Sequence, residues 1–300
     1  MIYQEIVTAE TVNLTNCDRE QIHIPGLIQP HGLLLVLQEP AFEILQVSNN
    51  AFKFLGLHTQ ELLGQELNVF LDEQQIKLIK ECLEEGFETV NPLKITIDTQ
   101  QAATKKFDAI VHRSNQGIIL ELEPTAFVED VSIFNLYRLT ISRINRMRNA
   151  ASLSELSQII VQEVRKLTGF DRVMLYQFYS DGSGSVIAEN KQDHLEPFLG
   201  LCYPDSDIPK QAKKLYTVNP IRLIPDVNYQ AVKIISDQNH LGSQPLDLSF
   251  SVLRSVSPMH IEYLQNMGVT ASMSISIIKN KKLWGLIACH HYQPKYLSYE

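Results

Sequence analysis

Two blocks of strand-length apolar runs, each interleaved with helical stretches and split by one polar boundary, constrain this chain more than any other feature. In the first block, GLLLVL from Gly32 and FEILQVS from Phe42 read as strands around the turn signal Gln38-Glu39-Pro40. Helical periodicity runs from Asn49 to Glu85, punctuated by Gly56, Gly64 and Gly86. Three further strand runs follow: LKITID from Leu93, KFDAIVHR from Lys106 and GIILELEP from Gly117, the last two around a turn at Ser114-Asn115-Gln116-Gly117. A strand pair, then helices, then three strands is an α+β pattern.

Pro124 and the acidic stretch VEDV (Val128 to Val131) mark the boundary. SIFNLYRLTISRINRMRNAA, residues 132–151, is amphipathic with a basic final turn and predicts a long helix. Ser152 reads as an N-cap with Glu155 as its capping-box partner, opening a second helix to about Leu167. Strands are predicted at RVMLYQFY and SVIAEN, then a long irregular middle at 191–250. A helix near 258–266 and two strands, SMSISIIK and KLWGLIACHHY, complete a second α+β unit. There is no internal repeat and no low-complexity tract.

Composition bounds the function. The 300 residues include 26 Lys+Arg and 34 Asp+Glu, giving a net charge of −8, which disfavours nucleic acid and anionic membrane as partners. With 44% hydrophobic residues the core can be sizeable without disulfides or a structural metal. No apolar run approaches the roughly 20 residues that span a bilayer. The first twenty residues lack the basic and apolar regions of a signal peptide, so a cytoplasmic location is expected. The four cysteines are widely spaced, with no CxxC pair. Cys82 and Cys289 sit in apolar-periodic segments and read as small buried hydrophobes. Cys17 lies in the polar segment NCDRE, where burial is not forced.

Four longer blocks carry the chemistry. They are CDREQIHIPGLIQPHG from Cys17, YPDSDIPKQAKKLYTVNPIRLIPDV from Tyr203, LRSVSPMHIEYLQNMGVTASMSISI from Leu253 and LWGLIACHHY from Leu283. Together, and in this order, they resemble the phytochromes over roughly residues 12–300. The last three resemble the bilin-binding GAF domain and the first the N-terminal PAS signature. The resemblance implies an arm (1–20), a PAS domain (21–126) and a GAF domain (127–300), each an antiparallel sheet with flanking helices. It also implies a knot between the arm and a GAF loop, with 227–250 as the lasso and Ile28 as the threaded residue.

Members of the family differ in where the bilin is attached. One group places a cysteine immediately before the histidine matching His260, but that position here is Met259, whose thioether cannot add to an alkene. Bacterial members attach biliverdin through a cysteine upstream of the PAS domain, in a motif that Cys17 matches. The resemblance therefore implies biliverdin IXα as cofactor, with Cys17 as nucleophile. A thiolate is the reactive form; Arg19 and His23 would favour it, while Asp18 and Glu20 oppose it. Arg222 and Arg254 match the clamp for the two propionates, with Tyr216, Ser257, Ser272 and Ser274 as hydroxyl donors. Ser272 and Ser274 alternate along a strand and so share a face, although an exposed strand would show the same pattern. Asp207 matches the residue whose carbonyl accepts from the pyrrole N–H groups, His260 the histidine beside those nitrogens, and His290 the histidine near the ring D carbonyl. Tyr176, Tyr203 and Tyr263 match the ring D pocket, and Met174, Val186, Ile208 and Pro209 its apolar lining.

The implied function is red and far-red light sensing, with ring D rotating after excitation. The fragment is expected to have no catalysis of its own. It would signal through a PHY domain and a histidine kinase beyond Glu300 to a response regulator, as a homodimer through the GAF helices. Without the family's PHY tongue, Asp207 is expected to face solvent. Two other classes compete: a non-photochemical GAF-type sensor of haem, another tetrapyrrole or a cyclic nucleotide, and a cysteine hydrolase. The second lacks a recognisable cysteine–histidine signature and an oxyanion site. A purely structural dimerisation module is compatible with the light-sensing reading.

Overall fold

The computed structural model describes residues 11–13, 15–84, 91–98, 104–125, 133–236 and 245–297. The first unit runs β1 (Leu27–Ile28), β2 (Leu33–Gln38), β3 (Glu43–Ser48), α1 (Ala51–Leu55), α2 (Thr59–Leu62), α3 (Glu73–Glu84), β4 (Asn91–Asp98), β5 (Thr104–Ser114) and β6 (Gly117–Pro124). Its helices cover one face of the sheet, where Leu33, Leu35, Leu37, Phe107 and Leu120 pack with Phe54, Leu62 and Ile79. The opposite face of β2, Leu34 and Val36, packs against Leu246, Leu248 and Leu253, far along the chain. Burial on both faces explains why GLLLVL is a continuous apolar run rather than an alternating one. At Gly117 the backbone is left-handed (φ 139°), and a Cβ would collide with the Leu37 carbonyl, so this turn requires glycine.

The second unit runs α4 (Ile133–Arg148), α5 (Leu153–Thr168), β7 (Arg172–Phe178), β8 (Gly184–Lys191), β9 (Cys202–Tyr203), α6 (Lys210–Val218), β10 (Ile221–Ile224), β11 (Val232–Ser236), α7 (Pro258–Asn266), β12 (Ala271–Lys279) and β13 (Lys282–His291). Five antiparallel pairings give the order β10-β12-β13-β7-β8-β9. Val161 of α5 buries against Val173, Leu175, Met273, Ile287 and the fully buried Cys289 on one face of this sheet. The Ser152 hydroxyl accepts from the Glu155 N–H at 3.1 Å, as the N-cap reading expects. The capping box is altered, however: the Glu155 carboxylate accepts from the Ala151 N–H (2.8 Å) rather than from that of Ser152.

The middle stretch 191–250 is more ordered than its sequence suggests, for it holds β9, α6, β10 and β11. The strands among them have five residues or fewer, too short to show a period, whereas α6 has nine. Of them, β11 leaves its own unit and inserts between β1 and β3, so the first sheet reads β1-β11-β3-β2-β6-β5-β4.

The segment from His23 to Gln29 is held from two sides by the second unit. On one side Leu27 and Ile28 pair with Lys233 and Val232. On the other, the Gln29 N–H donates to Leu253 (2.7 Å), the Ser255 N–H to Leu27 (3.0 Å) and the Leu248 N–H to His23 (2.8 Å). Ile28 is wholly buried between these limbs. Glu121 of β6 fixes the second limb by accepting from the Val252 and Leu253 N–H groups at 3.1 and 2.8 Å. A knot would need this flanking; residues 237–244, which would close the loop, lie outside the described residues, as do residues 1–10 of the arm and the VEDV boundary.

Candidate functional site

The face of the second sheet turned away from α5 forms one wall of a cavity of about 600 Å³. Period-two alternation sets its residues: Met174 and Tyr176 from β7, Val186 from β8, Arg222 and Ile224 from β10, Ser272 and Ser274 from β12, and Leu286, Ala288 and His290 from β13. The facing side comes from α6 (Ala212, Leu215, Tyr216), from α7 (Met259, His260, Tyr263, Leu264) and from the turn Asp207-Ile208-Pro209, with Tyr203 of β9 beside it. The segment Arg254–Ser257 closes one side, and the arm brings Cys17, Glu20 and Ile22 to the rim. Every residue matched in the sequence to the bilin site, from Cys17 to His290, lines this one cavity. The size suits a single drug-sized organic ligand.

One end of the cavity is cationic. Arg222 donates through Nη2 to the Arg254 backbone carbonyl, which ties its side chain to the segment that carries Arg254. The Nη1 atom of each guanidinium is buried with no hydrogen-bond partner. Burial lowers both arginine pKa values, and for Arg254 the neighbouring Arg222 charge adds to the effect. Tyr216 and Ser274, hydrogen-bonded to one another, provide hydroxyls beside them. Asn219 Nδ2 is another buried donor without a partner. A cluster of buried donors lacking acceptors, next to an apolar chamber, fits a flat apolar molecule that carries carboxylates.

The central and far parts of the cavity are neutral. Burial pushes His260 down to about 4 and His290 down to about 3, with Arg222 and Arg172 respectively adding to the effect. Both imidazoles are therefore uncharged at pH 7 and can each donate and accept; His290 Nδ1 is buried without a partner. Tyr263 stacks against His260 (centroids 6.3 Å apart, 13° between planes), and Tyr176 lies 5.9 Å from Tyr203. Burial lifts the Tyr176 and Tyr263 hydroxyls to about 12, so they remain protonated. Asp207, in a 3₁₀ turn spanning Asp205–Asp207, is exposed at the mouth.

The depressed histidines set a pH dependence. A group whose folded pKa lies below its unfolded value stabilises the fold above about 6.5 and loses that contribution as pH falls through the folded pKa. Lowering the pH from 7 to 5 should therefore cost the ligand-free protein roughly 1–2 kcal/mol for each histidine. Glu123 works oppositely: burial lifts it to about 7, so its contribution is lost as pH rises. Thermal unfolding at the two pH values, compared with a His260→Gln/His290→Gln double variant, isolates the histidine part. An equal pH slope in both proteins would contradict it.

Several site residues make contacts that the sequence does not indicate. Glu20, buried beside Cys17, accepts from the Ser257 hydroxyl. Gln211 and Asn219 flank the cavity from α6 and just beyond it, a helix hidden in the irregular middle. Behind His290, Arg172 and Glu189 form a buried ion pair, with the Arg172 guanidinium 3.8 Å from the Phe198 ring centroid. Glu189 also accepts from the Phe198 and Leu199 N–H groups (3.0 and 3.2 Å), which fixes Phe198 at the cavity wall. Leu286 and Ala288 were legible in principle, since they share a strand face with His290. Among the described residues no helix is long and apolar enough to cross a membrane, and no cluster of His, Cys, Asp and Glu could hold a metal ion.

Comparison with known proteins gives this geometry a family. A PAS fold model matches residues 17–125 and a GAF domain model matches residues 152–300. The chain is 55% identical over its whole length to cyanobacterial phytochrome B from Nostoc sp., of which it covers 40%. It is 42% identical, over 96% of its length, to a bacteriophytochrome from Pseudomonas aeruginosa, of which it covers 38%. It thus spans about two fifths of the length of these curated relatives. The wild-type chromophore-binding domain of Stigmatella aurantiaca phytochrome P1 superposes with a TM-score of 0.87 at 45% identity, covering 95% of this chain and 93% of that one. The chromophore-binding domain of an unusual bacteriophytochrome from R. palustris superposes with a TM-score of 0.86 at 42% identity, covering 95% and 91%. In sequence, fold and the order of its two domains, the chain belongs to the phytochrome family and corresponds to the PAS–GAF portion of its members.

Proposed function

We propose that this chain is the light-sensing part of a phytochrome and holds biliverdin IXα, bound covalently through Cys17, in the GAF cavity. One observation carries the reading: a single cavity has a thiol at its rim, two buried guanidiniums with unpartnered Nη1 atoms at one end, and neutral imidazoles along the rest. A cyclic nucleotide would use the arginines but not the thiol. PAS is taken as residues 21–126 and GAF as 127–300, with the arm before them.

The bound tetrapyrrole would supply the absorbing π-system and a methine double bond about which ring D turns. The protein's residues do the rest. With a tetrapyrrole bound, Cys17 would add across its ring A vinyl group, the S–H bond breaking, a C–S bond forming and the proton passing to the neighbouring vinyl carbon, with no net redox change. Met259, at the other family attachment point, has no thiol to compete. Arg222 and Arg254 would neutralise the propionates, and Tyr216, Ser272 and Ser274 would complete their hydrogen bonds; the Ser257 hydroxyl, matched to the same role, already donates to the Glu20 carboxylate. The Asp207 carbonyl and His260 would hold the pyrrole N–H groups. His290 serves the ring D carbonyl, and Tyr176, Tyr203, Tyr263, Met174, Val186, Ile208 and Pro209 leave ring D an apolar chamber. Output through a histidine kinase and response regulator, and homodimerisation through α4 and α5, belong to the full-length protein.

The test is reconstitution with biliverdin, followed by a light-minus-dark difference spectrum. A red-absorbing dark state should form and bleach under red light. Little stable far-red band should appear, because the Asp207 carboxylate is exposed and its interactions compete with water. No red band would end the tetrapyrrole reading, and a red band indifferent to light would favour a non-photochemical sensor. A far-red peak as strong as the lost red one, lasting hours, would refute the role given to Asp207.

A further inference from the structure

The arm that carries Cys17 is docked on the GAF surface by two hydrogen bonds from distant parts of the chain. The Gln211 side chain, on α6, donates to the Cys17 carbonyl. The Ser257 hydroxyl, at the start of α7, donates to the Glu20 carboxylate. Locally, a 3₁₀ turn spans Cys17–Arg19, and the Glu20 N–H donates to the same Cys17 carbonyl at 3.3 Å. The Cys17 N–H in turn donates to the Asn13 carbonyl at 3.0 Å. Both backbone polar groups of Cys17 are thus occupied, and Sγ is separated from this fixed backbone by a single rotatable bond. Glu20 is 7% exposed, although carboxylates are seldom so buried.

We propose that Glu20 and Gln211 are positioning residues that form a latch, holding the Cys17 thiol at the cavity rim before the bilin arrives. This rests on the reading of Cys17 as the attachment point and adds a kinetic role to it. Attachment then resembles an intramolecular addition, in which a thiol already held in place reacts faster than one on a free arm. Neither latch residue need touch the reacting atoms. Burial raises the Glu20 pKa. A neutral carboxyl, or a carboxamide, still accepts from Ser257, so Glu20→Gln should preserve the latch.

Two rates in Glu20→Leu, Gln211→Leu and Glu20→Gln test the proposal. The first is covalent attachment after mixing with biliverdin, from samples quenched in denaturant and read by zinc fluorescence on a gel. The second is alkylation of Cys17 by iodoacetamide in the bilin-free protein, resolved from Cys82, Cys202 and Cys289 by peptide mass spectrometry. Each Leu variant should slow attachment about three- to tenfold, the scale of one or two net hydrogen bonds. Each should also speed alkylation, because the released arm leaves the half-buried thiol open to solvent. Glu20→Gln should match the parent in both. These opposed changes separate an undocked arm from a misfolded cavity, which would slow attachment and also weaken the initial non-covalent colour change. Parent-like attachment and alkylation in both Leu variants would overturn the latch. If the unaltered chain forms no covalent adduct, the attachment reading falls, and the alkylation rates alone then decide whether the arm is docked.

Discussion

Replacing Cys17 with alanine is expected to abolish the covalent adduct entirely while biliverdin still enters the cavity. The sulfur is the only atom lost, and the guanidiniums, imidazoles and apolar walls that bury the ligand remain. No other cysteine can substitute. Cys289 is fully buried in the core behind the sheet, and burial pushes its thiol far above the ordinary range. Cys82 packs against the first hydrophobic core, and Cys202 is exposed outside the cavity lining. Alanine at any of these three should keep the adduct. Zinc-stained denaturing electrophoresis reads each case directly, and a full band from Cys17→Ala would place the attachment elsewhere.

Arg254→Ala should weaken binding and strengthen the empty protein together. In the Cys17→Ala background, losing the charge-assisted hydrogen bond to a propionate costs roughly 1.5–3 kcal/mol, or about ten- to 150-fold in biliverdin affinity. Without ligand, Arg254 is a buried cation beside a second cation, with one nitrogen unpaired. Removing such a charge relieves a desolvation cost, so the unfolding midpoint of the bilin-free variant should rise or hold. A fall of several degrees would mean that Arg254 supports the fold rather than the ligand. Affinity unchanged within about a factor of two would place it outside the site.

Most of the elements legible in sequence show a clear period, although length alone does not decide which are read. Residues 258–266 read as a helix and fold as α7, and SMSISIIK and KLWGLIACHHY become β12 and β13. β11 spans five residues and is set by its distant partner β3 rather than by its own pattern, whereas α6 spans nine, as many as α7, yet lies in a stretch whose sequence reads as irregular. The cavity residues were found through the resemblance, because alternation alone gives a strand face without saying what it faces. Ser272 and Ser274 are the clearest case: their shared face was predicted, but only the closure of α6 and α7 over it makes it a wall. Glu20 and Gln211 escaped because their importance lies in contacts spanning 237 and 194 positions, which no local pattern encodes.

The insertion of β11 between β1 and β3 has a cost during synthesis. Translation proceeds at about 5–20 residues per second, N-terminus first. Five paired strands of the first sheet are made when residue 124 emerges, but β11, through which alone β1 joins it, ends only at Ser236. Between the completion of β3 and the arrival of β11, roughly 10–40 s pass with an open, apolar-flanked edge. Such an edge is a template for pairing with another nascent chain, and late long-range pairing slows folding further. The same strand that ties the two units together makes the first one dependent on the second, so PAS made alone would keep its sticky edge for good.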